Sequence, residues 1–509
     1  TCTGTVTFTA DTLGSYTIEG TYVPAPASVH ATSTGSDTIT VTARSTSTSV
    51  NCPATTPANS PATCTVRVTD TASGTKSPPQ GTVDFDITAQ PAGSTAVVAP
   101  DPCTLIPDVS TVATDDSTCT GTVTFTADTL GSYTIEGTYV PAPASVHATS
   151  TGSDMITVTA RSTSTSVNCP ATTPANSPAT CTVTVTDTDT VPKSPPQGDV
   201  DLEFTAQPDG SSPTLAPDPC PLTTASTSSS TCTFAFNSTK AGDYTIKGTY
   251  QPAPTSIHAT STGSDMIKVT AGPPAIVTVT PAAATNQVNT EHCVTATVTD
   301  EFGNPNAGVK VFFTVTGVNS ASGTRTTGAD GTTPEFCYIG RLFGPDTITA
   351  VADADDNGDP DPGEPTGIAT KTWTLPPSTA FCFVDFATYG VRIVALNGDP
   401  ASAGGNAQVD GDGNPTGQHE YQDHGPVQPM NVHSINVLAV VCTDIEDVPG
   451  GKQAQIYGRA TIDGAGSYIY RIDVEDRGES GTNDKYWIAL SNGYTSGNQT
   501  LVGGNVQIH

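Results

Sequence analysis

The chain has 509 residues and carries 49 acidic against 18 basic side chains, which gives a formal net charge of −31 at pH 7. This balance argues against nucleic-acid binding, because contacts to phosphates require a basic surface. No apolar run reaches the roughly 18 residues of a membrane-spanning helix, so none is predicted.

The chain begins inside its own repeat. Residues 1–66 and 118–183 are identical except at one position, where Thr38 corresponds to Met155. A third, diverged copy of the same segment runs through Cys232. The spacing of 118 − 1 = 117 residues is the size of a domain rather than of a short structural repeat. The sequence therefore predicts domains joined in series.

The repeat sets the predicted domain boundaries. The first segment is the C-terminal half of a repeat, whose front half is either missing or supplied by another chain. Either processing of a longer protein or a window on a longer array would produce such a start. The five predicted segments are 1–43, 44–160, 161–271, 272–376 and 377–509.

The local pattern predicts strands. Stretches such as CTGTVTFTA, GSYTIEGTYV and DTITVTA alternate apolar residues with threonine or another polar residue. This period of two is typical of strands with one buried and one solvated face. Turn clusters such as TLGS, PAPAS and STGSD separate the strands, which favours antiparallel β-sandwiches.

The thirteen cysteines recur in pairs with the repeat. Recurrence of each pair as a unit predicts local disulfides, which implies an oxidising, extracellular location. Zinc binding is the alternative, but no CxxC spacing or Cys/His cluster supports it. Cys2 corresponds to Cys119 and Cys232, whose predicted partners precede them, so its partner cysteine lies outside this segment. The predicted bonds are Cys52–Cys64, Cys103–Cys119, Cys169–Cys181 and Cys220–Cys232, with Cys293–Cys337 and Cys382–Cys442 left for the two C-terminal domains.

Residues 1–271 closely resemble the bacterial Ig-like repeats of cell-surface proteins. The resemblance rests on TSTSVNCPATTPANSPATCTVTVTD, DPC…STCT and GSYTIEGTYVPAPASVHATSTGSDMITVTA, in this order and spacing. It implies tandem Ig-like sandwiches in a linear array. His30, His147 and His258 lie in the His-Ala-x-Ser-x-Gly-Ser ending of each copy, and we interpret them as structural residues rather than ligands.

The two C-terminal segments resemble other surface domains. VTDEFGNPNAGVKVFFTV, within 272–376, is similar to the invasin/intimin type of Ig-like domain. GRATIDGAGSYIYRIDVEDRGESGTNDKYWI and the Ile-His end resemble the post-COAP type of β-domain. This resemblance implies a C-terminal β-sandwich or jelly-roll-like domain and no particular activity.

The stretch DADDNGDPDPGE carries the clearest chemical signal. Oxygen-bearing side chains fall at positions 1, 3, 5, 7, 9 and 12 of the loop, with Gly358 at position 6. This is the ligand spacing of a calcium loop, in which the glycine permits a sharp bend. Pro360 and Pro362 depart from the EF-hand pattern, so we predict a calcium loop between strands; the alternative is a solvated acidic turn. The predicted ligands are Asp353, Asp355, Asn357, Asp359, Asp361 and Glu364.

HEYQDH, in the last segment, invites a second metal interpretation, through His419, Glu420, Asp423, His424 and His433. It is not HExxH and lies on no predicted helix, so zincin geometry is not expected. On a strand, His419 and His424 point to opposite faces, which favours a structural polar patch. Asn237 and Asn498 lie in N-x-S/T sequons and are weak candidates for glycosylation.

Two functions remain open. No nucleophile elbow, P-loop or dinucleotide motif is present, so catalysis and organic cofactors are not expected. The first hypothesis is an extracellular structural protein that forms or decorates a cell-surface filament, by end-to-end or strand-complementing self-association or with upstream repeats of the same chain. The alternative is an adhesin stalk whose C-terminal β-domain binds a glycan or another cell-surface ligand.

Overall fold

The computed structural model describes residues 1–108, 116–119, 123–190, 192–377 and 386–509, and the side chains of these residues except that of Cys119. All regular secondary structure in these ranges is β-strand, so the prediction of an all-β chain with tandem sandwiches is confirmed. The five predicted domain boundaries remain predictions, and we use 44–160, 161–271 and 272–376 only to name the first, second and third modules. The described chain divides into two compact units, the first with Thr1–Thr173, Ser177–Ser238 and Gly242–Lys268 and the second with Pro174–Asn176, Thr239–Ala241 and Val269–His509.

The N-terminal segment forms an isolated hairpin. Strands β1 (Gly14–Tyr22) and β2 (Ser33–Val41) pair antiparallel as a two-stranded sheet. Nearly all of its side chains are exposed. We call residues 1–43 the N-terminal hairpin.

The first module, residues 44–160, is a sandwich of two layers. Its strands alternate buried and exposed side chains, as ATCTVRVTD does over Ala62–Asp70. The strands are β3 (Thr46–Asn51), β4 (Thr55–Pro57), β5 (Ala62–Asp70), β6 (Gly81–Ala89), β7 (Val97–Ala99), β8 (Cys103–Pro107), β9 (Asp116–Cys119), β10 (Val123–Thr126), β11 (Gly131–Pro141) and β12 (Ser150–Thr159). One layer contains β4, β12, β11, β6 and β8, and the other β9, β5, β10, β7 and β3; the pairing of β8 with β9 joins the two layers into one ten-stranded sheet.

The second module, residues 161–271, repeats this arrangement as two five-stranded sheets. Phe234, Phe236 and Tyr244 fill its core, with Phe236 and Tyr244 ring centroids 5.2 Å apart. The strands are β13 (Thr163–Asn168), β14 (Thr172–Pro174), β15 (Ala179–Asp187), β16 (Gly198–Ala206), β17 (Thr214–Ala216), β18 (Cys220–Pro221), β19 (Thr223–Thr224), β20 (Ser229–Asn237), β21 (Gly242–Pro252) and β22 (Thr262–Thr270).

The third module, residues 272–376, packs a three-stranded sheet on a five-stranded one. Trp373 is buried between them and donates from Nε1 to Asp346 Oδ2 at 2.8 Å, which satisfies the indole N–H in the core. The strands are β23 (Ile276–Thr280), β24 (Ala283–Gln287), β25 (Glu291–Thr299), β26 (Lys310–Gly317), β27 (Ala321–Thr326), β28 (Phe336–Ile339), β29 (Gly344–Ala352) and β30 (Thr366–Thr374).

The C-terminal domain contains one nine-stranded sheet. Consecutive strands pair as hairpins, and the last strand returns to the edge beside the first. This order follows because strands that are joined by short turns pair with their neighbours. The strands are β31 (Ala387–Val394), β32 (Pro400–Val409), β33 (Pro415–Asp423), β34 (Met430–Asp444), β35 (Lys452–Ile462), β36 (Ala465–Asp476), β37 (Lys485–Leu490), β38 (Gln499–Thr500) and β39 (Gly503–Ile508).

Four disulfides are present in the described part of the chain, and together they point to an extracellular or cell-surface location. The two other predicted bonds fall outside the description, since the side chain of Cys119 and all of Cys382 lie beyond it. Cys2 is an exposed free thiol. The four bonds are Cys52–Cys64, Cys169–Cys181, Cys220–Cys232 and Cys293–Cys337.

Candidate functional site

A buried ion pair lies where the second module begins. Asp187, at the end of β15, accepts hydrogen bonds from Arg161 Nε at 2.7 Å and from the Ser194 backbone N–H at 3.0 Å. His258 Nε2 lies 3.4 Å from Asp187 Oδ2 and 3.1 Å from the Ser194 carbonyl oxygen. The side chains of Arg161 and Asp187 are 0% exposed. We call Arg161, Asp187 and His258 the second junction cluster.

Arg161 also binds the preceding module. Its Nη1 donates to the carbonyl oxygen of Ala58 and to Ser60 Oγ, both at 2.9 Å. Its Nη2 donates to the carbonyl oxygen of Thr190 at 2.9 Å. One guanidinium therefore uses its fixed fork of donors to join two consecutive modules through backbone and side-chain oxygens.

The same cluster recurs at the start of the first module. Arg44 Nε donates to Asp70 Oδ2 at 2.6 Å, and His147 Nε2 lies 3.4 Å from the same oxygen. We call Arg44, Asp70 and His147 the first junction cluster. Its arginine is 23% exposed, and in the described residues Arg44 Nη2 has no hydrogen-bond partner. The described part of the N-terminal hairpin contains no counterpart of the Ala58–Ser60 turn that Arg161 binds.

Hydrogen bonds hold both junction aspartates in the ionised form. Burial alone would raise the pKa of Asp70 and of Asp187. The arginine beside each carboxylate and the backbone N–H groups that donate to it outweigh burial, and they hold each pKa below its ordinary value. The ion pairs are therefore intact at neutral pH and weaken as the pH falls through the lowered pKa.

Sequence reasoning identified the junction histidines but not their partners. His147 and His258 are buried in the clusters, whereas His30 is exposed because the described hairpin holds no equivalent aspartate. Arg44 and Arg161 were missed, although each follows the last strand of a repeat at the same position. That recurrence of a charged residue between two strands was the available signal.

The acidic loop connects β29 to β30 and brings three predicted ligands together. Carboxylate oxygens of Asp353, Asp355 and Glu364 all lie within 4.8 Å of one another. Glu364 accepts backbone hydrogen bonds from Ala354 and Asp361, at 2.7 and 2.9 Å, which closes the loop. These hard oxygen donors suit a calcium ion.

The other predicted ligands lie less favourably. Asn357 Nδ2 donates to Asp355 Oδ2 at 3.1 Å, and its Oδ1 accepts from the Asp359 N–H at 2.8 Å. The Asp359 carboxylate is exposed and does not belong to the converging group. Lys310 Nζ, 4.0 Å from the buried Asp353 Oδ2, already compensates part of the negative charge.

A second polar network is buried in the C-terminal domain. His419, on β33, has its Nδ1 2.9 Å from Tyr389 Oη and its Nε2 3.3 Å from Tyr486 Oη. Burial, followed by the charge of His433, lowers the pKa of His419 to about 3. The imidazole is therefore neutral and acts as a structural partner of two hydroxyls.

His424 and His433 lie on the outside of the same sheet. His433 Nδ1 is 3.0 Å from Glu420 Oε1, and His424 Nε2 is 2.9 Å from Ser402 Oγ. The five residues of the metal interpretation are thus divided between the interior and the surface. An open depression of about 420 Å³ lies on the outer face, lined by Gly404, Gly405, Asn406, Gln418, His419, Glu420 and His433.

The third module and the C-terminal domain share contacts within the second unit. Asn289 accepts a hydrogen bond from Arg471 and donates to Tyr457 Oη at 3.0 Å. The Arg471 guanidinium lies 5.2 Å from the Trp487 ring centroid, and Arg341 approaches the same ring at 5.8 Å. Buried residues of both domains also belong to one hydrophobic cluster. These two domains therefore pack as one body.

The two sequons differ in accessibility. Asn498 is exposed, whereas Asn237 is half-buried at the end of β20. Asn498 is thus the better acceptor of the two, and glycosylation of either remains a prediction.

In the described ranges, no helix has the length and apolar character needed to cross a membrane.

Comparisons with known proteins find structural likeness only. No protein-family model matches the chain, and no curated protein sequence matches it. The Escherichia coli adhesin FdeC is 18% identical over 64% of this chain and 96% of its own, with a TM-score of 0.27. Invasin, a bacterial integrin-binding protein, is 13% identical over 78% of this chain and 80% of its own, with a TM-score of 0.33. The surface-layer protein SbsC, domains 1–6, is 12% identical over 90% of this chain and 66% of the compared chain, with a TM-score of 0.19.

Proposed function

We propose that this chain is a non-enzymatic extracellular structural protein, whose tandem Ig-like modules form or decorate a cell-surface filament by end-to-end or strand-complementing self-association. The observation that carries the proposal is the second junction cluster, in which a fully buried arginine binds the first module and the second at once. Such a junction fixes one sandwich to the next, and the disulfide within each module stabilises the sandwich itself. Duplicating a module then adds length.

Self-association is supported by the open face of the N-terminal hairpin. Val6 is 82% exposed, Tyr22 47% and Ile39 45%. Unpaired strand edges beside exposed apolar side chains are normally covered by another strand. The hairpins of two copies of the chain present such edges to each other.

Sedimentation of the full chain over a range of concentrations tests self-association. We expect species heavier than the 51.7 kDa monomer, because the open face of the hairpin is removed from water when chains associate. The double variant Ile18→Thr, Ile39→Thr should shift the distribution at least about 10-fold towards monomer, since two apolar contacts are lost.

The matched control is Val29→Thr, which changes a side chain that is 96% exposed outside the two paired strands. It should sediment like the unchanged chain. A monomer at every concentration, with all three proteins alike, would refute self-association and leave the serial array in place.

The alternative is an adhesin stalk, with the C-terminal β-domain as its tip. It is favoured by the open depression on the outer face of that domain, whose polar rim of Asn406, Gln418, Glu420 and His433 suits a hydroxyl-rich ligand such as a glycan. Glycan-array binding by the full chain, abolished by Glu420→Ala, would favour this function over the structural one.

We further propose that the acidic loop binds calcium through Asp353, Asp355 and Glu364, with the remaining oxygens from Asn357, Asp359, Asp361, the backbone and water. Bound calcium would neutralise the crowded carboxylates and hold the loop between β29 and β30.

Calcium addition should raise the midpoint of thermal unfolding of the second unit, because the ion binds the folded loop and not the unfolded chain. Calorimetry of the full chain with calcium and with a chelator measures this midpoint. The corresponding gain in the free energy of unfolding should be about 2–3 kcal/mol at a free calcium concentration of 100 Kd. Asp355→Asn should abolish it, whereas Asp330→Asn, an exposed aspartate outside the loop, should not. Equal midpoints with calcium and chelator would contradict the site.

A further inference from the structure

A lysine is buried in the third module beside an asparagine of the neighbouring strand. Lys371 lies on β30 and is 0% exposed. Its Nζ donates a hydrogen bond to Oδ1 of Asn286, which lies on β24, 85 residues away in the sequence. A primary amine and a side-chain amide from opposite ends of the module are therefore in direct contact.

The backbone holds these two side chains in register. Strands β24 and β30 pair in parallel, with Ala284 opposite Lys371 and Asn286 opposite Trp373. Ala284 and Asn286 are half-buried and alternate with exposed neighbours. Since alternate residues of a strand lie on the same face of a sheet, Asn286 and Lys371 both point towards the core. The ladder between the strands keeps the amide within reach of the long lysine side chain.

Trp373 fixes the position of the amine. Lys371 Nζ lies 4.4 Å from the centroid of the Trp373 ring, in a cation–π contact. The indole is itself held by its hydrogen bond to Asp346. It also packs against Gly340, where a Cβ atom would overlap the ring. The amine is thus confined between a rigid aromatic ring and the Asn286 amide.

The surroundings favour the neutral form of this amine. The acceptor of its hydrogen bond is the uncharged oxygen of Asn286 and not a carboxylate. A buried ammonium ion without a close counterion is costly. Burial accordingly lowers the pKa of Lys371, and the charge of Asp346 opposes this effect only in part. A desolvated lysine of this kind is a better nucleophile than one in water.

We propose that Lys371 and Asn286 form an intramolecular amide bond, which joins β24 to β30 covalently. The Nζ atom attacks Cγ of Asn286, so the Nζ–Cγ bond forms and the Cγ–Nδ2 bond breaks. One proton passes from Nζ to Nδ2, which leaves as ammonia. A primary amine and a primary amide thereby give a secondary amide and ammonia, and no oxidant or cofactor is consumed. Holding the two groups in contact supplies the proximity that this reaction requires.

The bond changes both the charge and the connectivity of the third module. It replaces a buried basic group by a neutral N–H, which removes the cost of keeping a cation in the core. It also closes a covalent loop across the 85 residues that separate the two side chains. The second and the last strand of this module then stay joined even when the hydrogen bonds between them break.

Mass spectrometry of the full chain tests the bond. After reduction and alkylation of the cysteines, the protein should be lighter than its sequence requires by about 17 Da, the mass of ammonia. Digestion with trypsin should leave the chain uncut after Lys371, because its amine is acylated. The digest should contain one branched peptide, in which the segment with Asn286 is linked to the segment with Lys371.

Variants assign the two ends of the bond. Asn286→Ala removes the amide and Lys371→Met removes the amine, so both proteins should have the masses that their sequences require. The matched control is Lys268→Met, at an exposed lysine on the last strand of the second module, and it should keep the loss of ammonia. On a reducing, denaturing gel, the unchanged chain and the control should migrate ahead of Asn286→Ala, since their denatured chains retain a closed loop.

The contrary results differ in mass and are all read on the unchanged chain, so they do not depend on the folding of a variant. The mass that the sequence requires, with two linear peptides, would leave Lys371 and Asn286 as hydrogen-bonded partners only. A loss of about 18 Da with a branch at an acidic residue would place the bond on a carboxylate, and a gain of about 1 Da at Asn286 would show hydrolysis of the amide. Each of these results overturns the proposal, and none affects the sedimentation test of self-association.

Discussion

Replacing Arg161 with alanine is expected to lower the free energy of unfolding of the second module by about 3–5 kcal/mol. Removing one partner of a buried ion pair leaves the other charge buried without compensation, which has a cost of this size. Asp187 is 0% exposed and would retain only backbone N–H donors and His258. The turn at Ala58 and Ser60 would also lose its donor.

The chain provides a matched control in Arg44→Ala. Arg44 has the same relation to Asp70 and His147, but it is partly exposed and binds no preceding module. We therefore expect a smaller loss of stability in the first module. Calorimetry of both variants in the full chain, with hydrogen exchange at the Ala58–Ser60 turn and its counterpart in the second module, measures the difference. Equal losses, within about 0.5 kcal/mol, would mean that the contacts between modules add nothing to the ion pair.

Acid is expected to destabilise the C-terminal domain through His419, with a slope of about 1.4 kcal/mol per pH unit below pH 6.5. The pKa of the folded imidazole is about 3, because burial opposes its protonation. An unfolded chain binds this proton near pH 6.5, so the unfolded state carries one more proton than the folded state between these values. Stability is therefore complete above pH 6.5 and falls as the pH is lowered towards 3.

Calorimetry of the full chain between pH 4.5 and 7 measures this effect, because most carboxylates remain ionised in that range. His292 of the third module, whose pKa burial also lowers, contributes a slope that remains in the His419 variant. His419→Gln should reduce the slope while lowering the midpoint at pH 7, since the glutamine fills the place of the imidazole imperfectly among Tyr389 and Tyr486. His433→Gln, at an exposed position, should leave most of the slope. An unchanged slope in His419→Gln would assign the acid sensitivity to another group.

The fold was predictable where it depends on local pattern. Alternation along stretches such as ATCTVRVTD predicts a strand with one buried face, and the structure has one at Ala62–Asp70. Recurrence of Cys52 and Cys64 with a spacing of 12 residues pointed to a local disulfide, and the structure contains it. Such features require only neighbouring residues and the repeat.

Contacts between distant residues were not predictable in this way. Arg161 and Ala58 are 103 residues apart, and no periodicity links them. The single sheet of the C-terminal domain depends on the pairing of β31 with β39, which alternation within each strand does not determine. In the acidic loop, the spacing identified Asp353, Asp355 and Glu364, but it could not show that Asp359 lies apart from them.

The parallel pairing of the second strand with the last strand of a module has a mechanical consequence. In the first module β4 pairs parallel with β12, and in the third module β24 pairs parallel with β30. When the two ends of such a module are pulled in opposite directions, these strands slide along each other, and their hydrogen bonds are loaded together rather than one after another. Tension along the chain therefore meets its greatest resistance at this pair, in which the second strand of the sandwich lies beside the strand that leaves it.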